Sequence, residues 1–364
     1  MRILLLGEYS NVHATLAKGL RELGHQVVVA SDGDGWKNYA RDINLARGNG
    51  LWGKIKFLFR LLKAFRHFKH YDVVQLINPV FLELKAAKIY PFYRFLRKHN
   101  GKIFLCALGM DYYWMKVGSD GRTFRYSDFK IGNQSRSYPG LEAQQKDWLH
   151  GQKGALNQMI ASDCDGIIAG LYEYYASYRI FFPEKTTFIP LPLVCTPSSN
   201  KTIHSKIRFF IGIQKTRSEY KGTDIMLEAL QRVYEQRPDE CEIVKVESVP
   251  FEQYKEMLDS SDVLLDQLYG YTPGMNALLA MAKGLVAVGG GEPENYQILN
   301  ENILRPIVNV EPNLQSVTDS LNGLLDHKSQ LPRMSAESKE YVRKHHDYRN
   351  VAKQYLEFWI HGTR

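Results

Sequence analysis

Apolar positions along this chain follow two rhythms. Short runs in which nearly every residue is apolar, such as Ile3-Leu4-Leu5-Leu6, Ile103-Phe104-Leu105 and Val263-Leu264-Leu265, alternate with stretches where Leu, Ile, Met or an aromatic returns every three or four positions. The first rhythm predicts strands buried on both faces and the second predicts helices that cover them, the pattern of a parallel α/β sheet. Strands are expected at 1–7, 26–30, 72–76, 102–107, 166–169 and 187–192, then at 207–213, 241–246, 263–265 and 285–288. Helices are expected around Leu16, Leu20 and Leu23, at 52–71, at 82–98 with a break at Pro91, at 153–162 and 171–181, around Ile225 to Val233, and at 251–258, 274–282 and 351–360. From Lys116 to Leu149 the rhythm lapses into a polar stretch with Gly118, Gly121, Gly132, Pro139 and Gly140, which reads as a loop inserted over a cleft. Long loops of this kind often carry function.

A second lapse, rich in Pro, Ser and Asn, runs from Pro192 to Ser205 and marks a domain boundary. The expected organisation is an N-terminal α/β domain over 1–192, a linker over 193–205, and a second α/β domain over 206–342. A C-terminal helix within 343–364 is expected to pack back on the first domain. A length of 364 residues supports two such cores, and 44% apolar with 24% charged residues describes a folded, soluble protein. No apolar run approaches the roughly 18 residues of a membrane span, and Met1 to Gly7 is short for a signal peptide, so a cytoplasmic location is expected. The four cysteines lie far apart and beside no histidine cluster, which predicts neither a metal site nor disulfides. A formal charge of +8 suits an anionic partner.

Ligands of parallel sheets sit beyond the carboxyl ends of the strands, so the chemistry is sought in those loops. The first, Gly7 to His13, lacks the G-x-G-x-x-G glycines of a dinucleotide site. His13 opens the following helix, where it reaches a bound hydroxyl or phosphate or else packs locally. Asp111, just past the strand 102–107, accepts a hydroxyl hydrogen bond or acts as a base, unless it caps a turn. Its neighbours Tyr112, Tyr113 and Trp114 favour a carbohydrate-like or lipid-linked ligand. Lys215, Arg217 and Lys221 fall between a strand end and a helix start, as a polyphosphate clamp or a solvated basic turn. Gly274 and Met275 open a helix whose first amides suit a diphosphate, or merely start that helix.

Between Lys54 and Lys69 six Lys or Arg residues occur with no acid. On a helix Lys56, Arg60, Lys63 and His67 form one stripe, and Ile55, Leu58, Phe59, Leu62 and Phe65 form a broad apolar face. Such a helix lies on an anionic membrane surface, or it is an ordinary helix whose apolar face meets the sheet. No motif for nucleic acid accompanies the charge.

Four segments resemble the GT-B glycosyltransferases, particularly the retaining, sucrose-synthase-like group (glycosyltransferase family 4). Tyr220-Lys221-Gly222-Thr223-Asp224 is similar to its K-G-x-D turn. Gly274-Met275 through Leu279-Ala280-Met281-Ala282-Lys283-Gly284 resembles its G-x-x-x-x-E-A-M-A-x-G segment. Gly290-Gly291-Glu292-Pro293-Glu294 looks like the following G-G-x-P-E, and Gly109-Met110-Asp111 looks like a G-S-D turn.

The resemblance implies two Rossmann-like domains facing a central cleft, with catalysis there by Asp111 and His13 and without a metal or bound cofactor. A nucleotide-sugar donor would be held by Lys215, Arg217, Lys221, Gly222, Tyr271, Gly274, Met275, Glu292 and Glu294. A glycan or lipid-linked acceptor would be held near Gly7, Ser10 and Tyr112, and Lys56, Arg60 and Lys63 would face the membrane. The chain departs from the group at Tyr271 and Leu279, where two glutamates are usual; their sugar or ribose contacts would pass to Glu292 or Glu294, or be absent. The implied function is glycosyl transfer in surface polysaccharide or glycolipid synthesis. An inactive binding subunit and a nucleotide-sugar epimerase are the alternatives.

Overall fold

The buried runs become strands and the periodic stretches become the helices that cover them. A computed structural model describes residues 1–195, 201–247, 249 and 251–362. In chain order come β1 (Arg2–Leu6), α1 (Val12–Glu22), β2 (Gln26–Ser31), β3 (Ile43–Asn44), α2 (Gly50–Phe65), β4 (Val73–Leu76), α3 (Ala86–His99), β5 (Lys102–Ala107) and α4 (Tyr112–Gly118). A small hairpin, β6 (Lys130–Ile131) and β7 (Gln134–Ser135), precedes α5 (Leu141–Leu149), α6 (Gln152–Asp163), β8 (Gly166–Ala169), α7 (Tyr172–Arg179) and β9 (Thr186–Phe188). Then follow β10 (Ile207–Ile213), α8 (Ser218–Lys221), α9 (Thr223–Gln236), β11 (Cys241–Glu247), α10 (Phe251–Asp259), β12 (Val263–Leu265), α11 (Met275–Ala282), β13 (Val286–Gly289) and α12 (Pro293–Ile298). The chain ends with β14 (Val308–Asn309), α13 (Leu314–Asp326), α14 (Leu331–His346) and α15 (Tyr348–His361).

The described residues of 1–117, 142–194 and 347–362 form one compact unit, and those of 118–141 and 195–346 form a second. The first holds a seven-stranded sheet in the order β3-β2-β1-β4-β5-β8-β9, and the second a five-stranded sheet in the order β11-β10-β12-β13-β14. All the pairings within these two sheets are parallel; Ile3, for example, stands opposite Val27 on one side and Val73 on the other. Each strand order reverses once, at β1/β4 and at β10/β12, so each sheet has a crevice where neighbouring loops leave in opposite directions. The parallel α/β class in two units is therefore the one the hydrophobic pattern predicts, and both units are Rossmann-like, as the family resemblance implies.

The last helix belongs to the first unit. Val351, Ala352, Tyr355 and Trp359 of α15 are buried with Leu16, Ala17 and Leu20 of α1 and Ile3 and Leu5 of β1. A side chain at Gly19 would stand 2.7 Å from the Tyr348 carbonyl oxygen and 2.8 Å from the Ala352 Cβ, so glycine is what lets α1 and α15 approach.

Several local expectations are corrected. The stretch 116–149 is not one loop over a cleft. It contains the end of α4, a hairpin and α5, and its middle, 118–141, belongs to the second unit. Phe124, Tyr126, Phe129 and Tyr138 explain this, because each is buried there.

Helix α3 runs through Pro91 without a break. Pro91 and Ala87, whose carbonyl loses its partner, are both exposed, so the lost bond lies on the solvent side of the helix. Helix α2 stops at Phe65, and the chain reverses through His70, whose φ is 64°. Its buried side is Phe57, Leu61 and Ala64, not the predicted face. Helices α12, α13 and α14 were not anticipated. Residues 196–200 of the expected linker, and Ser248 and Pro250 of the turn after β11, lie outside the described residues.

Candidate functional site

In the second unit the loops after β10 and β12, neighbours at the strand-order reversal, carry the residues that the sequence singled out. Lys215 is exposed and sits 3.4 Å from Glu247, and the exposed Arg217 lies 4.9 Å from the Tyr220 ring. Lys221 is half-buried, and its carbonyl accepts from the Leu268 amide at 2.9 Å, which ties the two loops together. Gly222 makes this tie feasible. Its φ is 74°, and a side chain there would run into Leu268 and Tyr269 at 2.8–2.9 Å.

Across the tie, Gly274 is the N-cap of α11; no side chain caps the helix and no acid sits in its first turn. Gly274 and Met275 are half-buried. Asn276 is fixed on both sides, accepting from the Tyr254 hydroxyl at 2.6 Å and donating to Asp266 at 3.0 Å. The helix start is thus rigid, with partial positive charge at its amides and three cations on the adjoining loop.

The loop after β13 joins the same edge, with the Glu292 amide donating to the Tyr271 carbonyl at 3.1 Å. Here the segment 118–141 enters. The Arg125 amide donates to the Tyr271 hydroxyl at 2.6 Å, and its guanidinium lies 4.8 Å from the Tyr271 ring centre. The same guanidinium donates to both Glu294 oxygens, at 2.6 and 3.0 Å, and to Glu292 at 2.7 Å. The Tyr126 hydroxyl donates to the other Glu292 oxygen.

At its far end the segment is held again. Arg136 donates to the carbonyls of Glu219 at 2.6 Å and Tyr220 at 3.3 Å, and lies on the Tyr269 ring. The Tyr220 hydroxyl donates to Asp128 at 3.0 Å. The Arg125 hydrogen bonds hold the Glu294 carboxyl below its ordinary value, and burial pushes the Tyr271 phenol up. Tyr271 is 2% exposed, an anchor for the segment rather than an open contact surface.

Arg125, Tyr126 and Arg136 were missed by sequence reasoning. The available signal was the interleaving of aromatic and charged residues in Phe124-Arg125-Tyr126 and Arg136-Ser137-Tyr138. Leu279 is half-buried on α11 and makes no polar contact of the kind a glutamate would.

In the first unit the helix start after β1 is already filled. The buried Glu8 carboxyl accepts from the amides of His13 at 3.2 Å and Ala14 at 2.8 Å, and burial, against these bonds, raises its pKa to about 8. Ser10, with φ of 53°, donates its amide to Asp34 at 2.9 Å. Gly7 packs on Ile77, joining the loops after β1 and β4. His13 is buried, with Nδ1 2.8 Å from the Gly7 carbonyl and no partner at Nε2. Burial lowers its pKa to about 4, so the ring is neutral, donates from Nδ1 and keeps Nε2 bare.

Asp111 is fully buried at the start of α4. One oxygen accepts from the Trp114 amide at 2.8 Å and the other from the Tyr178 hydroxyl at 2.9 Å, and burial raises its pKa to about 7. Capping, the plain alternative, describes this geometry; a base facing substrate does not. Tyr112 is half-exposed, its amide held by Asn157 at 2.9 Å. On α2, Lys56 and Lys63 are exposed, while Arg60 donates to the Ala46 carbonyl at 2.8 Å. Leu51, Trp52, Leu58, Phe59 and Leu62 are all more than half exposed beside them.

No family model matches the chain, and no curated protein matches it in sequence. Solved structures do match. Anabaena Alr3699/HepE, in complex with UDP and glucose, superposes with a TM-score of 0.63 at 12% identity, covering 99% of this chain and 100% of that one. The fold is GT-B. Sucrose-phosphate synthase from Thermosynechococcus elongatus shares it, with a TM-score of 0.58 at 11% identity over 99% and 98% of the two chains. UDP-GlcNAc 2-epimerase from Neisseria meningitidis, bound to UDP-GlcNAc, does so with 0.55 at 11% over 99% and 100%. At such identities the likeness speaks to the GT-B fold and leaves the chemistry to the residues. Among the described residues no helix is long and apolar enough to cross a membrane.

Proposed function

We propose that this chain is a glycosyltransferase that moves a sugar from a nucleotide-sugar donor to a glycan or lipid-linked acceptor in surface polysaccharide or glycolipid synthesis. The observation that carries the reading is the pairing, on neighbouring strands at the reversal point of the second unit, of the Lys215/Arg217/Lys221 loop with the uncapped start of α11. Cleaving the bond between an anomeric carbon and a diphosphate leaves negative charge on the phosphate oxygen. Side-chain cations and fixed amides stabilise that charge in advance, without a metal being required. The HepE complexes with UDP, glucose and UDP-glucose support the donor class. A retaining course follows from the family resemblance.

The first unit is proposed to hold the acceptor at its loops after β1 and β5, where Ser10 and Tyr112 are partly open while His13 is enclosed. The outer side of α2 supports a lipid-linked acceptor. Its exposed Trp, Phe and Leu side chains, flanked by Lys54, Lys56 and Lys63, match the inner face of an anionic membrane. The protein is accordingly proposed to work in the cytoplasm as a peripheral membrane enzyme.

The epimerase neighbour keeps a second reading alive, nucleotide-sugar epimerisation, and the commitment of Tyr271 to the 118–141 segment favours a third, an inactive binding subunit. Thermal shift against nucleoside diphosphates and nucleotide sugars, followed by product analysis with the stabilising sugar, tests all three. Transfer only with acceptor present supports the glycosyltransferase, and a new nucleotide sugar formed without acceptor identifies the epimerase. Binding without turnover identifies the subunit. No shift with any nucleotide overturns the donor site itself.

A further inference from the structure

We propose that the 118–141 segment is a built-in wall of the donor site, with Arg125 as the residue that sets the sugar it accepts: a neutral hexose rather than a hexuronate. The inference rests on the nucleotide-sugar reading above and adds the sugar end to it. Along the sheet edge of the second unit, cations occupy the loop after β10 and the uncapped helix start follows β12, while carboxylates stand in the loop after β13. A diphosphate belongs with the cations and is repelled by the carboxylates. Carboxylates accept hydroxyl hydrogen bonds. Two strand spacings separate β10 from β13, about 10 Å, which suits a diphosphate at one end and the hydroxyls of its attached hexose at the other.

Arg125 decides what those carboxylates present. One guanidinium serves both oxygens of Glu294 and one of Glu292, so two acid side chains are held together at fixed positions. Glu292 is nearly enclosed, at 8% side-chain exposure, with its second oxygen on the Tyr126 hydroxyl. Glu294 keeps 20% and Arg125 keeps 55%, so Glu294 and the outer edge of the guanidinium are the open parts of the cluster. One cation against two carboxylates leaves the cluster negative. That charge disfavours a uronate carboxylate and leaves neutral hydroxyls as the matching groups.

The segment is not a lid waiting to close. Phe124, Tyr126, Phe129 and Tyr138 are buried, Ser127 closes its turn by donating to the Gly118 carbonyl at 2.6 Å, and Arg136 and Asp128 hold its other end. A wall packed in this way selects by shape and charge.

Calorimetric titration of UDP, UDP-glucose and UDP-glucuronate, or of the GDP series where UDP does not bind, separates the parts. Arg125→Ala is expected to weaken the hexose nucleotide about 10- to 100-fold, the loss expected for hydrogen bonds to charged groups, while leaving the free diphosphate within about twofold. Arg125→Lys is expected to recover part of the loss, since it keeps the charge without the fork. Glu294→Gln, at the exposed end of the cluster, carries the same expectation if Arg125→Ala does not fold, and should narrow the preference for glucose over glucuronate. Equal loss of diphosphate and nucleotide sugar, or no loss of either, overturns the wall assignment and leaves the donor reading standing. Equal affinity of the wild type for glucose and glucuronate forms overturns the charge selection. A wild type that binds none of the nucleotides overturns both readings together.

Discussion

Lys221 sits where a residue can be judged by one measurement. Its backbone already joins the loops after β10 and β12, so Lys221→Ala keeps the tie and removes the cation. Nucleoside diphosphate binding is expected to weaken by about 1.5–3 kcal/mol, the usual worth of a hydrogen bond to a charged group; unchanged affinity by calorimetry would remove Lys221 from the clamp. Titration in the first unit gives a second residue-scale prediction. Glu8 and Asp111 are raised by burial to about 8 and about 7, so the stability they contribute is complete below their ordinary values and is lost as pH rises through 7 and 8. His13 is lowered to about 4, so its contribution is complete above its ordinary value of 6.5 and is lost as pH falls through 4. Resistance of the first unit to urea is therefore expected to fall toward both extremes, and Glu8→Gln should flatten the alkaline limb; an unaltered limb would show that Glu8 is ionised throughout. The sequence placed His13 at the start of a helix and Asp111 just past a strand, as the structure does. It did not reveal that both are buried, because burial depends on neighbours such as Tyr178 and Asn157 that lie far along the chain.

Helix α2 shows what periodicity can and cannot tell. Its spacing identified an amphipathic basic helix, yet two apolar faces compete in it, and the interior took Phe57, Leu61 and Ala64, leaving Leu58, Phe59 and Leu62 in solvent. Only packing chooses between such faces. Replacing Lys56 and Lys63 by Ala is expected to weaken binding to anionic vesicles by about 1 kcal/mol per residue, and Phe59→Asp to weaken it further, with the melting temperature unchanged. Vesicle sedimentation identical to wild type would leave α2 without a membrane role. The 118–141 segment is the opposite case, an element with no readable period. Tyr126→Phe removes one hydroxyl from the buried Glu292 and is expected to cost about 1–3 kcal/mol in denaturant unfolding; a neutral result would mean that Glu292 finds another donor.

At the scale of the molecule, α15 returns to cover the sheet on which the chain began. Trp359 is buried, and its indole N–H donates to the Gln75 side chain at 3.2 Å. Trp359→Ala is expected to destabilise the first unit by about 3–5 kcal/mol, seen as an early transition in calorimetry with nucleotide binding by the second unit retained. One unshifted transition would mean that α15 is dispensable. Two parallel α/β sheets, the strand-end loops and the place of Lys215, Arg217 and Lys221 in one of them follow from the linear pattern, because strand and helix periods and loop positions are local properties. Contact across long separations decided the rest: which unit holds 118–141, which face of α2 is open, and that Arg125 meets Glu292 and Glu294 some 170 residues away. Such pairings arise only when the sheet brings three loops to one edge, and no stretch of sequence contains that geometry by itself.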